Sequence, residues 1–261
     1  MANVKNYTDL SGRVAVVIGG TSGLGRVIAL GMAEAGADVV VTGRRDNLIA
    51  EVADQIEALG RRTLRQTADV MKKDSVVALR DAVVSKLGSV DILLNAAGRT
   101  VRKPVIDQPI EEWQAIVDTN LTGMVVSCQA FHAALKAGGR GRVINIASLS
   151  SYVSLRDVAA YAASKAGVLS LTKSLAIEWS PDKINVNAIA PGVFRTDLNA
   201  GLLDGTDRGR EFLLRTPMKR FGKPEELVGA AVLLASDAAS YINGECIAVD
   251  GGFLASGVNS I

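Results

Sequence analysis

Short apolar runs and longer amphipathic ones alternate along this chain. The run RVAVVIGG (13–20) is β-branched and ends in glycine, the pattern of a strand buried on both faces. GLGRVIALGMAEAG (23–36) follows with helical spacing and a closing Gly36. ADVVVTG (37–43) predicts a second strand. DNLIAEVADQIEALG (46–60) predicts an amphipathic helix, with Leu48, Val52, Ile56 and Leu59 on one face. RTLRQTADV (62–70) predicts a third strand, residues 73–87 a helix, and VDILLNAAG (90–98) a fourth strand. Two long helical patterns come next, the first starting near Pro109, with the strand RVINIAS (142–148) between them. KINVNAIAPG (183–192) and ECIAVDGG (245–252) complete seven strands.

This alternation has neither an internal repeat nor a break in composition. It predicts a single α/β domain over 1–261: a doubly wound parallel sheet with helices on both faces. Such sheets bind ligands beyond the carboxyl ends of their strands, so the residues that follow each strand carry the chemistry.

Composition narrows the function classes. A net charge of +2 gives no broad electrostatic footprint for nucleic acid or an anionic membrane. No apolar run has the length of a membrane span, and MANVKNYTDLSGR at the start has no apolar signal core, so a cytoplasmic protein is expected. Cys128 and Cys246 lie in apolar runs and read as buried free thiols. His132 is the only histidine. A metal site built on several histidines is excluded, no metal is predicted, and a Ser-His-Asp triad would have to use His132.

GGTSGLG (19–25) follows the first strand and opens the first helix. Gly19, Gly23 and Gly25, with Thr21, Ser22 and Leu24 between them, give the spacing G-x-x-x-G-x-G. Glycine lets the backbone turn tightly and approach a pyrophosphate, while the helix N-terminus offers N–H groups and positive charge to it. An NAD site usually carries Asp or Glu after the second strand. Here Gly43 is followed by Arg44 and Arg45, whose planar forks suit a 2′-phosphate, so NADP(H) is expected rather than NAD(H).

YAASK (161–165) places a phenol and an amine one helical turn apart. With Gly19/Gly23/Gly25, NAAG (95–98), Asn120, Ser148 and PGVFRT (191–196), it makes the chain resemble the short-chain dehydrogenase/reductase family along nearly its whole length. The resemblance implies a Rossmann-type sheet of seven strands in the order 3-2-1-4-5-6-7 and an NADP(H)-dependent exchange between a secondary alcohol and a ketone. It makes Tyr161 the general acid/base and lets Ser148 hold the substrate oxygen. Lys165 would lower the phenol's pKa and bond the cofactor ribose, and Asn120 would hold a water in a relay through Lys165. It further implies cofactor contacts from Asp69 and Val70 at the adenine and from Asn95, Ala96, Ala97 and Gly98 behind the cofactor. Pro191, Gly192, Val193 and Thr196 would meet the nicotinamide carboxamide. The chain departs from the commonest family pattern at Ile18, Ala96 and Asn185.

A substrate lid is expected over about 193–222, with Phe194, Leu198, Leu202, Leu203, Phe212 and Met218 mixed among charges. GRTVRKP (98–104) brings Arg99, Arg102 and Lys103 to the cleft mouth. Arg102, with Ser150, is the candidate for an anionic substrate. This loop and the closing VDGGFLASGV are similar to those of gluconate 5-dehydrogenases, which implies a sugar acid such as gluconate/5-ketogluconate. The alternative is a 3-oxoacyl-thioester (acyl-carrier-protein) reductase. Two other readings fit less well: intact Ser148, Tyr161 and Lys165 argue against a silent NADP-binding module, and a sugar-nucleotide epimerase would need a substrate domain after residue 192. Family resemblance also implies a homotetramer pairing helices at about 109–137 and 157–180, where Ala159, Ala160, Ala162 and Ala163 would permit close approach. His132 reads as a packing or interface residue.

Overall fold

Val14–Ile18, the first strand (β1), is buried along its whole length in a computed structural model that describes residues 6–196 and 199–257. Its side chains alternate between two cores. Val14, Val16 and Ile18 face one, and Ala15 and Val17 the other, which is why the run is apolar at every position. The remaining strands are β2 (Asp38–Thr42), β3 (Ile92–Asn95), β4 (Gly141–Ile146), β5 (Ile184–Pro191) and β6 (Cys246–Val249). All pair in parallel, in the order β2-β1-β3-β4-β5-β6.

The sheet therefore has six strands and not the expected seven. The missing one is the 62–70 segment. It runs beside β2 but touches it through a broken ladder. Val39 N donates to Arg62 O at 3.1 Å and Ala68 N to Gly43 O at 3.0 Å. Between them the Asp38 carboxylate accepts from Arg62 N (2.8 Å) and the Thr42 hydroxyl donates to Gln66 O (2.8 Å), so side chains replace backbone partners. Arg62 and Arg65 charge this outer edge, a device that discourages strand addition. Without the 62–70 segment, the expected strand order is the observed one.

Helices α1 (Gly23–Glu34) and α2 (Asp46–Ala58) cover one face through Ile28, Met32, Val52 and Ile56. The other face is covered by α3 (Lys73–Leu87), by α4 (Ile110–Val117), which continues through a π turn (Asp118–Thr122) into α5 (Gly123–Ala137), and by α6 (Ala159–Trp179). Short α7 (Ala200–Leu203) and α8 (Asp207–Arg215) form the segment beyond β5, and α9 (Val228–Ala235) returns to the first face.

His132 packs at 4.7 Å on the Trp179 ring and shares Asp182 with Lys136, as a packing residue should. Cys128 is buried and its thiol pKa is pushed up to about 12 by burial; Cys246 is only partly buried, and both thiols are free. Asn185 accepts from Arg142 (3.3 Å) and donates to Ile242 O (2.9 Å) at the sheet's amino end, away from the strand carboxyl ends. Among the described residues no helix is long and apolar enough to cross a membrane.

Candidate active site

The turn after β1 is shaped by contacts that only glycine permits. Gly19 has φ +80°, and a methyl there would come 2.5 Å from Ala97 N and 2.7 Å from Ala97 Cα. A Cβ on Gly25 would strike the Gly19 carbonyl and come 3.1 Å from the Ala96 methyl. The loops after β1 and β3 therefore interlock, which explains why Ala96 and Ala97 are small. Gly23 (φ +54°) differs: its Cβ direction is open. Ser22 caps α1 in extended conformation, yet its side chain makes no capping bond. The first N–H groups of α1 thus have neither an intrahelical nor a side-chain partner. An open approach at Gly23 and uncapped amides at a helix start fit a dinucleotide pyrophosphate.

β2 ends against this loop, since a Cβ on Gly43 would lie 3.1 Å from the Thr21 hydroxyl. Arg44 and Arg45 follow, both exposed, and among the described residues neither makes an ion pair. Asp69 is half-buried and its carboxylate accepts from Met71 N at 3.0 Å, forming a tight turn. Val70 is buried against Gly123.

Asn95 is the last residue of β3. Its Nδ2 donates to Asn145 Oδ1 (3.0 Å) and the Asn145 amide donates to Thr172 (3.0 Å), so its side chain ties β3 to β4 and α6 inside the core. Its backbone pairs with Ile18 at the end of β1.

The chemistry-bearing residues do converge. Ser148 follows β4 and caps a short 3₁₀ turn, Leu149–Ser151, accepting from Ser150 N at 3.1 Å. The Ser148 hydroxyl acts on the Tyr161 phenol. Burial pushes that phenol's pKa up, and the neighbouring Ser148 hydroxyl opposes the rise. Lys165 is buried, with Nζ 5.7 Å from the Tyr161 ring centre and donating to Ile146 O at 2.6 Å. Desolvation lowers its pKa to about 8. Burial therefore sets the direction at Tyr161, while the Lys165 ammonium bonds a backbone carbonyl.

Asn120 sits in the π turn, a helix irregularity common at functional sites. Its side chain is fully used: Oδ1 accepts from Arg99 N (2.8 Å), and Nδ2 donates to Arg99 O (3.0 Å) and the Ser164 hydroxyl (3.0 Å). It clamps the loop after β3 to α6. Gly98 lies in that clamp, its Cβ position 3.4 Å from Asn120 Oδ1 and 3.9 Å from Lys165 Nζ. Sequence reasoning missed Ser164 and also Ser151, whose hydroxyl donates to Lys165 O at 2.7 Å. Each is a serine within three residues of a motif position, a signal too common to single out.

At the mouth, Arg102 donates to Asp157 at 3.3 Å. Ser150 is buried, and its hydroxyl has no hydrogen-bond partner among the described residues. Beyond β5, Gly192 N donates to Val249 O (2.8 Å) and Thr196 N to Asn199 Oδ1 (2.8 Å), which shapes the loop carrying Pro191 and Val193. In the expected lid, Phe194 and Leu203 are buried, whereas Leu202 and Met218 are exposed. Phe212 stacks toward Phe253 at 6.4 Å, and Leu198 lies outside the described residues.

This arrangement defines an α/β oxidoreductase built on a Rossmann-type sheet. Residues 19–254 match the family described as enoyl-(acyl carrier protein) reductase, and the chain belongs to the short-chain dehydrogenase/reductase family. It is 42% identical over 250 residues to 2-dehydro-3-deoxy-D-gluconate 5-dehydrogenase of Escherichia coli (strain K12), covering 95% of this chain and 97% of that one. It is 41% identical to 3beta-hydroxysteroid dehydrogenase 1 of Eggerthella lenta, covering 94% and 95% of the two chains. Among solved structures, the gluconate 5-dehydrogenase of Burkholderia cenocepacia J2315 in complex with NADP and tartrate is 35% identical. It covers 96% of this chain and 98% of its own, with a TM-score of 0.92.

Proposed function

We propose that the protein is an NADP(H)-dependent dehydrogenase that interconverts a sugar acid and its keto form, of the gluconate/5-ketogluconate type. One observation carries the reading: the buried Lys165 Nζ 5.7 Å from the Tyr161 ring centre, with Ser151 Oγ joining Ser148 N to Lys165 O. Bound nicotinamide supplies or accepts the hydride. In the reducing direction Tyr161 gives its proton to the carbonyl oxygen, while Ser148 Oγ donates to the same oxygen. Asn120 holds the Gly98–Arg99 backbone beside Lys165. Arg44 and Arg45 would take the 2′-phosphate, and the uncapped start of α1 the pyrophosphate.

The sugar-acid assignment draws support from Arg102 at the mouth and from relatives named for gluconate derivatives. A steroid dehydrogenase at 41% identity shows that overall similarity does not choose the substrate. The test is NADPH and NADH oxidation against 5-ketogluconate, other keto-sugars, diketones and an acetoacetyl thioester. Preferred turnover of the keto-sugar acid with NADPH supports the reading. Turnover of the thioester alone moves the protein to acyl reduction.

We also infer a homotetramer in the cytoplasm. Along α6 the exposed Ala163, Ala166, Ser170 and Ser174 are small, with Lys173, Ile177 and Glu178 exposed toward the helix's carboxyl end. Ala160, one of the alanines expected to serve this, is buried in its own subunit. A monomer by light scattering at micromolar concentration would refute the assembly.

A further inference from the structure

The turn after β4 carries three serines, Ser148, Ser150 and Ser151, and the proton transfer above gives Ser151 no task of its own. Its hydroxyl is nevertheless engaged on both sides. Ser151 Oγ accepts from Ser148 N at 3.2 Å and donates to Lys165 O at 2.7 Å. Ser148 lies just beyond the last ladder bond of the strand, which Ala147 N makes to Ile189 O at 2.8 Å. Lys165 lies inside α6, where its carbonyl already serves the helix ladder. The bond from Ser151 is therefore an additional, tertiary one. Ser164 makes the contrast: it bonds Tyr161 O at 2.7 Å within α6 itself and holds nothing against this turn.

The segment that leaves β4 grips Lys165 at both ends. Its carbonyl meets Ser151, and its ammonium donates to Ile146 O at 2.6 Å. Ser148 stands in the chain between these two grips. Ser148 Oγ accepts from Ser150 N at 3.1 Å, which leaves the hydroxyl proton for another acceptor. One oxygen, Ser151 Oγ, thus spans the strand end that carries Ser148 and the helix that carries Tyr161 and Lys165. Ser148 and Tyr161 come from separate elements yet must reach the same substrate oxygen. Proton transfer needs heavy atoms about 2.6–3.2 Å apart, and a misplacement of about 1 Å can cost roughly 10²-fold in rate.

We propose that Ser151 is a positioning residue for this pair: its hydroxyl sets the separation between Ser148 and the face of α6 that bears Tyr161 and Lys165. The inference rests on the assignment of Tyr161 and Ser148 to the reacting oxygen, and not on which carbonyl is the substrate. Ser151 acts through the backbone of Ser148 and of Lys165.

The test is steady-state reduction of 5-ketogluconate and of an acetoacetyl thioester by NADPH, with rates normalised to the sites counted by NADPH titration. On whichever carbonyl the wild type reduces, S151A should lose roughly tenfold or more in kcat, with NADPH affinity and the carbonyl's KM within about threefold of wild type. S151T restores the hydroxyl and should recover most of the loss, whereas S151V, which has the shape of threonine without its hydroxyl, should not. A protein that was merely loosened would melt early and bind less nucleotide, while the sites still counted kept their kcat; that pattern in S151A overturns the inference. If S151A keeps the wild-type kcat while Tyr161→Phe abolishes turnover, the inference falls and the site reading stands. If S151T is as slow as S151V, the hydroxyl is not the operative group and the inference falls. Should S151A or S151V not be recovered folded, S151C, with a side chain that donates only weakly, decides instead: a kcat loss of roughly tenfold upholds the inference, and an unchanged kcat overturns it. If Tyr161→Phe turns over at the wild-type rate, or the wild type binds NADPH and reduces neither carbonyl, the site reading falls and takes this inference with it.

Discussion

The Lys165 ammonium stands 5.7 Å from the centre of the Tyr161 ring and gives its hydrogen bond to the Ile146 carbonyl at 2.6 Å, not to the phenol. The two side chains that define the site are neighbours without being bonded. Each is held by burial away from its ordinary ionisation, the phenol upward and the ammonium downward to about 8.

This has a measurable consequence for stability. Lys165 has a folded-state pKa of about 8, below its ordinary 10.5, so between these limits the unfolded chain binds the extra proton. Stability therefore rises with pH across that window, and the burden of the buried charge is fully present below it. Between pH 7.5 and 9.5 the gain from this one group is about 2 kcal/mol. Denaturant unfolding of the cofactor-free wild type and Lys165→Met at both pH values should show the wild type gaining that much on the variant. Parallel curves would mean that Lys165 is solvated.

Tyr161→Phe removes one oxygen from a partly buried ring and leaves Ser148 with its bond from Ser150 N. The fold and NADPH affinity should persist. Turnover should drop by at least the 10²–10⁴-fold (roughly) that general acid–base catalysis contributes. Stopped-flow binding beside steady-state rates separates the two effects, and a variant that still turns over at wild-type rate would remove Tyr161 from the chemistry.

Arg44 is exposed and, among the described residues, unpaired, so Arg44→Ala should change stability by less than about 0.5 kcal/mol. NADPH affinity should fall tenfold or more while NADH affinity stays nearly constant. Fluorescence titration with both nucleotides checks this, and equal losses would deny Arg44 a role at the 2′-phosphate.

How legible the molecule was in its sequence depends on the kind of signal. The buried strands were readable because both faces of β1 are apolar, a pattern that helix surfaces do not show. The 62–70 segment misled because its composition is strand-like while its partners are side chains: Asp38 and Thr42 complete the edge, and spacing carries no trace of that. The turn after β1 was readable as glycine-dependent because Gly19 packs closely and Gly23 adopts a left-handed backbone. The directions of Asn95 and Asn120 were not. An asparagine after a strand or within a helix looks the same whether its amide meets a ligand or another residue of the core.

The two glycines can be separated experimentally. Gly19→Ala puts a methyl 2.5 Å from Ala97 N, so it should destabilise the free protein by roughly 1–3 kcal/mol as well as weaken NADPH. Gly23→Ala meets nothing within 4 Å, so its cost to the free protein is the left-handed backbone alone, about 1–2 kcal/mol. Its loss of NADPH affinity should be the larger of its two effects, because the added methyl sits in open space at the start of α1. Thermal melts and nucleotide titrations of both variants test the pair. A Gly23→Ala protein that binds NADPH normally would place the pyrophosphate elsewhere.

Asn120→Ala tests whether the clamp or a relay dominates at that position. The substitution removes the partner of Arg99 N and Arg99 O at a part-buried place, and of the buried Ser164 hydroxyl. Each buried group left unpaired costs about 1–3 kcal/mol, although Ser164 keeps its bond to Tyr161 O at 2.7 Å. The net loss should be roughly 2–4 kcal/mol, read as a lower denaturant midpoint. Because the freed loop carries Arg99 and Arg102, KM for a carboxylate substrate should rise more than kcat falls. Asn120→Asp keeps the acceptor for Arg99 N but loses both donors, so it should fall between wild type and alanine. A pure proton-relay role predicts the opposite split, with kcat lost at unchanged stability and KM, and that result would replace the clamp.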